Sequence, residues 1–380
     1  MGINCSNCQS CSKKDEIQIS EFHQQTISGQ SNGEEVNFEE EKEKVSLETE
    51  NNQLIQLVYD NLNPNQSVLQ PNEKQQSEII LTSQSNSDLQ RRKNEMIERN
   101  YEDMMETGGN KCNTKIREKR QKHYFKSGAY YEGEWIGQQR DGFGIQIWPD
   151  GAGYEGEWKE NRANGKGKFR HVSGDFYDGD WKEDRVSGQG KYIHANGSKY
   201  EGSWLNDLPH GYGIETQIDH SKYEGNYKFG KKNGFGKYYW SDGSFYIGYW
   251  KKNQLEGYGI YTWSDGRKYV GMWSKNEMNG RGIYTWPDGR SHEGYYVKDK
   301  KQGYGIYLWP DGRKYDGYWN NGKQSGKGRY TLPTGKSQLG LWEDGRRISW
   351  INDDEDIKPD GWDQYKQPTF QQDNFNLTNL

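Results

Sequence analysis

The stretch YEGEWIGQQRDGFGIQIWPDGAG, residues 131–153, is one full period of a pattern that fills the middle of the chain. Its opening YEGEW returns at Tyr154, then as YDGDW at Tyr177, YEGSW at Tyr200, YEGNY at Tyr223, YIGYW at Tyr246, YVGMW at Tyr269, HEGYY at His292 and YDGYW at Tyr315, each step 23 residues. Eleven residues after each start comes a Gly-x-Gly, from Gly142/Gly144 to Gly326/Gly328, and turn dipeptides such as Asp150-Gly151, Asp242-Gly243 and Asp288-Gly289 separate the units. A tenth copy from Gln338 keeps Gly340 and Trp342 and then stops. A fixed period decides architecture before any single residue does.

Each unit reads as two short antiparallel strands, YxGxW and GxGxYxW, joined by a polar loop and passed on by an Asp-Gly turn. One hairpin is marginal in water, so the units must stack to hide what each cannot bury alone. The expected fold class is therefore all-β: an elongated open ribbon of stacked 23-residue antiparallel β-hairpins. Nine two-stranded units would extend on the order of 85 Å at the usual strand spacing. Composition agrees, since only 30% of the residues are hydrophobic while 14% are aromatic and 48 are glycine. Period two puts Tyr, Gly and Trp of YEGEW on one side and the acids on the other. Glycine stands where rings must lie flat on backbone, because any Cβ would hold them off.

These residues resemble the membrane occupation and recognition nexus (MORN) repeat, a 14-residue core commonly continued to 23. The likeness covers residues 131 to about 345, with Tyr227 and Tyr296 in place of the usual Trp and His292 in place of the leading Tyr. The resemblance implies an open hairpin ribbon used for scaffolding, for protein contacts and for binding acidic phospholipids.

The side opposite the rings changes along the chain. In units 1 to 5 it carries Glu132, Glu155, Lys166, Lys168, Asp178, Asp180, Lys191 and Glu201, acids beside bases, a solvated face. In units 6 to 9 it carries Ile247, Tyr249, Tyr258, Ile260, Val270, Met272, Ile283, Tyr295, Tyr304, Ile306 and Tyr318. A contiguous apolar surface of that extent marks an interaction site. The first expectation is a protein partner or a second copy of the chain on this face. The alternative is cover by the ribbon's own twist or by an N-terminal helix. Along one edge, Lys231, Lys232, Lys251, Lys252, Lys298, Lys300 and Lys301 are candidate contacts for anionic lipid headgroups, each worth about 1 kcal/mol near a membrane surface. Acidic neighbours dilute the row, and exposed loops are commonly charged.

Before the repeats the chain reads as a membrane anchor (1–14), an acidic tether (15–87) of disordered composition, a candidate helix (88–107) and a basic lead-in (108–122). The ribbon is expected over 123–347 and an acidic tail over 348–380. Residues 15–90 hold 3 basic and 15 acidic side chains, too polar to offset chain entropy by burial. The candidate helix places Leu89, Met96, Ile97, Tyr101, Met104 and Met105 near helical spacing, and could dock on the apolar face. The first residues, MGINCSNCQSC, offer Gly2 with Ser6 behind it for myristoylation and Cys5, Cys8 and Cys11 beside it for palmitoylation. One acyl chain holds only marginally, so stable anchoring needs the second signal. The same cysteines have the spacing of iron-sulfur ligands, but the fourth cysteine and the following proline are absent.

No catalytic constellation stands out. The seven histidines form no ligand-type pair, and there is no phosphate loop of the Gly-Lys-Ser/Thr kind or nucleophile elbow. The expectation is a non-enzymatic, cofactor-free, metal-free scaffold on the cytoplasmic face of a plasma membrane, cell cortex or cilium, with no nucleic-acid partner. The alternatives are a peripheral protein whose repeats bind acidic phospholipids and a soluble ciliary subunit.

Overall fold

A computed structural model describes residues 100–101, 103–106, 116–352, 356–359 and 362. The proposed acylation sites Gly2, Cys5, Cys8 and Cys11 and the tether lie outside them. The described chain forms one 21-stranded antiparallel sheet, from β1 (Arg117–Tyr124), β2 (Tyr130–Ile136) and β3 (Gln139–Ile147) to β20 (Ser337–Glu343) and β21 (Arg346–Trp350). Each strand pairs with its neighbours in sequence, so the sheet is an uninterrupted meander, open at both ends. β1, of sequence REKRQKHY, and β21, of sequence RRISW, are the two free edges. Their cations discourage pairing with another sheet.

Register explains the repeat. Gly133 stands opposite Gly144 and Trp135 opposite Arg140, so Glu134 faces a bulge of residues 141–143. At this bulge the Tyr131 hydroxyl donates to the Glu134 carbonyl at 3.0 Å. The same bond recurs from Tyr154 to Glu157, Tyr246 to Tyr249 and Tyr315 to Tyr318. To reach that carbonyl the Tyr ring must cross the glycine pair, and a Cβ on Gly144 would overlap the Tyr131 ring. The paired glycines line up from strand to strand, as in Gly236, Gly248, Gly259, Gly271 and Gly282, giving a smooth track across the sheet. Trp side chains close the remaining gaps: Trp158 Nε1 donates to the Gly144 carbonyl at 3.2 Å, and Trp181 to that of Gly167 at 3.0 Å. Tyr131 meets the edges of Trp135 and Trp158 at centroid distances of 5.1 and 5.4 Å, so each tyrosine bridges its own unit to the next. Such pairs add about 1 kcal/mol each beyond the area they bury.

The turns divide the work differently from the expectation. The Asp-Gly turn is a wider loop: Gly151 N bonds to Trp148 O, Trp148 N bonds to Ala152 O, and Gly151 has φ +91°. The tight two-residue turn is the polar loop, where Glu160 and Asn161 both have positive φ, 49° and 69°. Its second residue is Asn or Asp throughout much of the ribbon because these side chains tolerate that backbone and reach sideways. Asn161 Oδ1 accepts from Arg140 N at 2.8 Å, Asp184 from Ala163 N at 2.8 Å, Asn253 from Lys232 N at 2.6 Å and Asn276 from Leu255 N at 2.7 Å. Each turn thus locks onto the unit before it. We expect Asn253→Gly, which keeps the backbone but loses the acceptor, to cost about 1 kcal/mol. Asn253→Ala, which adds left-handed strain, should cost about 1 kcal/mol more, both read as shifts of the urea midpoint.

Candidate functional site

At two places, at opposite ends and on opposite faces, the ribbon carries another segment of the chain. At the first end the departure from the repeat is Arg140 and Gln146, in columns that hold Ala163, Val186 and Leu255, or Phe169, Tyr192 and Tyr261, in later units. Both polar side chains are fully buried on the aromatic face. The Arg140 guanidinium lies 4.3 Å over the Trp158 ring and donates to Gln146 Oε1 at 3.0 Å, Asn161 O at 3.0 Å and Asn100 Oδ1 at 3.3 Å. Asn100 donates in turn to Asp184 at 2.9 Å, and Gln146 to Asp103 at 3.0 Å. Asn100 and Asp103 belong to a short helical stretch, described at residues 100, 101 and 103–106. Ser127 Oγ and Lys126 N bond to its Asp103 and Glu106. Burial pulls the Arg140 pKa down to about 10, with Asp103 and Asp184 opposing the shift. The described part of the helix therefore lies on the aromatic face and not on the apolar one: polar residues hold it there, Met104 is half-buried, and Tyr101 and Met105 are exposed, while Leu89, Met96 and Ile97 lie outside the described residues. The reason is Arg140, whose burial demands acids and acceptors above it.

At the far end the second face is occupied, over units 7 to 10, by the chain's own C-terminal residues. Trp362 is 5% exposed and lies under Arg281, whose guanidinium carbon is 3.7 Å from the ring centroid. Arg281 Nη1 donates to the Trp362 carbonyl at 3.1 Å, while Nη2 bonds to Glu293 at 2.5 Å. Tyr304 and Tyr295 meet the indole edge-on at 4.5 and 5.9 Å, and Ile357 packs with Tyr304 and Leu339. Tyr304 also donates to Asp316. The expectations for this face are a protein partner, a second copy, the ribbon's own twist or an N-terminal helix; over this part of it the structure places a C-terminal segment, which is none of these. Elsewhere on the predicted face Ile247, Tyr258 and Ile260 are buried, Tyr249, Val270, Met272, Ile283 and Ile306 are half-buried, and Tyr295 and Tyr318 remain exposed. In units 1 to 5 the same face holds cross-strand ion pairs, Lys168–Asp178 at 3.5 Å and Lys191–Glu201 at 3.4 Å, too exposed to add much stability.

The lysine edge is also corrected in part. Lys231, Lys251, Lys252, Lys298 and Lys300 are exposed, but Lys232 and Lys301 turn onto the aromatic face. Lys232 Nζ pairs with Glu215 at 2.7 Å over the Tyr223 and Tyr238 rings, and Tyr227, standing where other units have Trp, donates to the same carboxylate. Lys301 Nζ sits among Trp286, Tyr307 and Trp319 at 5.2, 4.6 and 4.7 Å, and burial pushes its pKa down to about 8. Each is adjacent in sequence to an exposed lysine, Lys231 or Lys300, and cannot be told from an edge lysine without aligning the units. Next to Lys301, His292 bonds through Nδ1 to Tyr296 at 2.7 Å, and burial holds its ring neutral.

Among the described residues no helix is long and apolar enough to cross a membrane, and no group of three or more His, Cys, Asp or Glu could hold a metal ion. No curated protein matches the chain. Among solved structures, the SAS-4 (dCPAP) TCP domain of Drosophila melanogaster, in complex with a proline-rich motif of Ana2 (dSTIL), is 14% identical, with 42% of this chain and 89% of that one covered and a TM-score of 0.28. A catalytically inactive virginiamycin B lyase from Staphylococcus aureus, solved with quinupristin, is 12% identical, with 61% and 72% covered and a TM-score of 0.13. The MORN repeat, commonly a membrane- or protein-binding module, matches nine times in succession, over residues 131–153, 154–176, 177–199, 200–222, 223–245, 246–266, 269–289, 292–312 and 315–337. With nine matched units running in register through one continuous sheet, the chain belongs to the MORN repeat family.

Proposed function

We propose that this chain is a non-catalytic, membrane-anchored scaffold, held by acyl chains at Gly2 and at Cys5, Cys8 and Cys11, whose ribbon binds protein partners at a membrane, cell cortex or cilium. The observation that carries the reading is the patterning of the second face. The hairpins already have their core on the aromatic side, so Val270, Met272, Ile283 and Tyr318 are not needed to close it. Apolar residues gathered on a face outside that core fit a role as contact residues. A second reading, in which the ribbon itself binds acidic phospholipids, is favoured by the exposed Lys231, Lys251, Lys252, Lys298 and Lys300.

Membrane fractionation separates the two. Gly2→Ala, and separately the triple change Cys5→Ser, Cys8→Ser and Cys11→Ser, should each move the chain to the soluble fraction, because one acyl chain alone holds only marginally. Membrane association that survives both changes overturns the anchor. If it is then lost when Lys251, Lys252, Lys298 and Lys300 become Gln, and weakens with salt, the phospholipid reading replaces it.

A further inference from the structure

We propose that the second face of units 7 to 10 is a recognition groove for an extended acidic segment bearing a tryptophan, that the chain's own tail is its resident occupant, and that a partner segment of this chemistry competes with the tail for it. The inference rests on the reading of this face as a protein-binding surface and names what it binds.

The groove is built around one side chain. Arg281 occupies a column of the second face held by Phe143, Gln189, Tyr212, Phe235, Tyr258 and Tyr304 in other units, and by lysine at Lys166 and Lys327. It offers a flat guanidinium to stack on an indole and a donor for the carbonyl of the same residue, so it reads side chain and backbone together. Tyr295 and Tyr304 wall the indole, and Leu339 and Ile306 receive Ile357 five residues earlier. Lys327 and Arg329 stand further along the same face, opposite Leu341 and Leu339. The tail complements them in composition, since residues 348–380 hold 2 basic and 7 acidic side chains, including Asp353, Asp354, Glu355 and Asp356.

The tail is attached as a ligand is rather than as a strand. Beyond Trp350 a backbone bond from Ile351 N to Leu339 O ties it to the sheet, and a turn from Trp362 N to Pro359 O presents the indole. In unit 1, by contrast, the same face stands bare, with Phe143 53% exposed, so the ribbon does not require a cover. The described part of the segment is anchored by the buried Trp362 and Ile357, and a segment anchored by side chains can exchange with another that brings the same aromatic.

The test uses a fluorescein-labelled synthetic peptide, INDDEDIKPDGWDQYK, corresponding to residues 351–366, and the full chain. Fluorescence anisotropy should show the peptide binding the Trp362→Ala chain at least about tenfold more tightly than the intact chain, whose site is filled in cis. Adding Arg281→Ala, or replacing the peptide's tryptophan by alanine, should abolish binding. A folded Trp362→Ala chain that binds no peptide, or that binds it no better than the intact chain, overturns the proposal. If Trp362→Ala lowers the melting temperature of the ribbon, hydrogen exchange of the intact chain decides instead. Protection of residues 356–362 must fall as peptide is added, and protection unchanged at the highest soluble peptide concentration overturns it. Membrane fractionation of the Gly2→Ala chain reads the scaffold proposal independently, so failure of one leaves the other standing.

Discussion

Gly259→Val will break the ribbon in the middle. A Cβ at this position would lie 2.5 Å from Cε2 and Cζ of Tyr246 and closer still to its hydroxyl. The ring has nowhere to go: Tyr246 is fully buried, bonded to the Tyr249 carbonyl at 3.0 Å, and set between Trp250 and Trp273 at 5.4 and 5.8 Å. Gly259 pairs with Gly248 on one side and Gly271 on the other, so two strand pairs must part to admit the new side chain. Overpacking on this scale costs about 3 kcal/mol or more. Because stability in a repeat array is carried by nearest-neighbour contacts, urea unfolding should split into two transitions as the flanking units lose their coupling. Gly243→Ala is the comparison: that glycine meets nothing within 4 Å and has φ +88°, so only backbone strain of about 1 kcal/mol is expected. Equal losses for the two variants would show that the glycine track is not what sets the spacing of the rings.

Arg140→Val will have a comparable effect at the first end. Valine is the residue that unit 3 carries in this column, at Val186, so the ribbon itself can accept it. The damage lies in what Arg140 leaves behind: Asp103, Asp184, Asn100 and Gln146 are buried and lose a shared donor or countercharge. Breaking a buried ionic network from one side costs about 3–5 kcal/mol. Hydrogen exchange should show residues 100–106 losing protection while units 3 to 9 keep theirs. Adding Gln146→Tyr, which restores the aromatic of unit 3, should recover the ribbon's thermal stability without recovering protection of the helix. Recovery of both would mean that the helix is held by something other than this network.

The two variants also mark how much the sequence discloses. The period of 23, the two strands per unit and the assignment of Tyr, Gly and Trp to one face follow from spacing and alternation alone, because every unit repeats the same steric problem. What escapes is whatever occurs once. Lys232 and Lys301 look like their neighbours Lys231 and Lys300, and only the column they share with Val186 and Leu255 betrays burial. Arg140 and Gln146 are likewise odd within their columns, a signal readable by stacking the units but silent in a single pass. Trp362 has no pattern around it, so its place beneath Arg281 depends on a tertiary contact that periodicity cannot encode. The turns mislead for a different reason: Asp-Gly is the familiar tight-turn signal, yet here Lys252-Asn253 takes the tight turn, since Asn accepts positive φ and brings an acceptor that glycine lacks.

The meander has a mechanical consequence. Hydrogen bonds between neighbouring strands run along the direction in which units are added, so a pull applied between the first and last strands loads those bonds end-on, one pair after another, rather than in shear. Each unit that yields exchanges two strand spacings, about 10 Å, for a free chain of about 75 Å. Trp–carbonyl bonds, tyrosine bridges and Asx locks recur at most boundaries, so the resistance is divided among many small barriers. A ribbon made this way is a stepwise extensible spring whose weakest links are the boundaries where Tyr227 and Tyr296 stand in for tryptophan and its indole N–H.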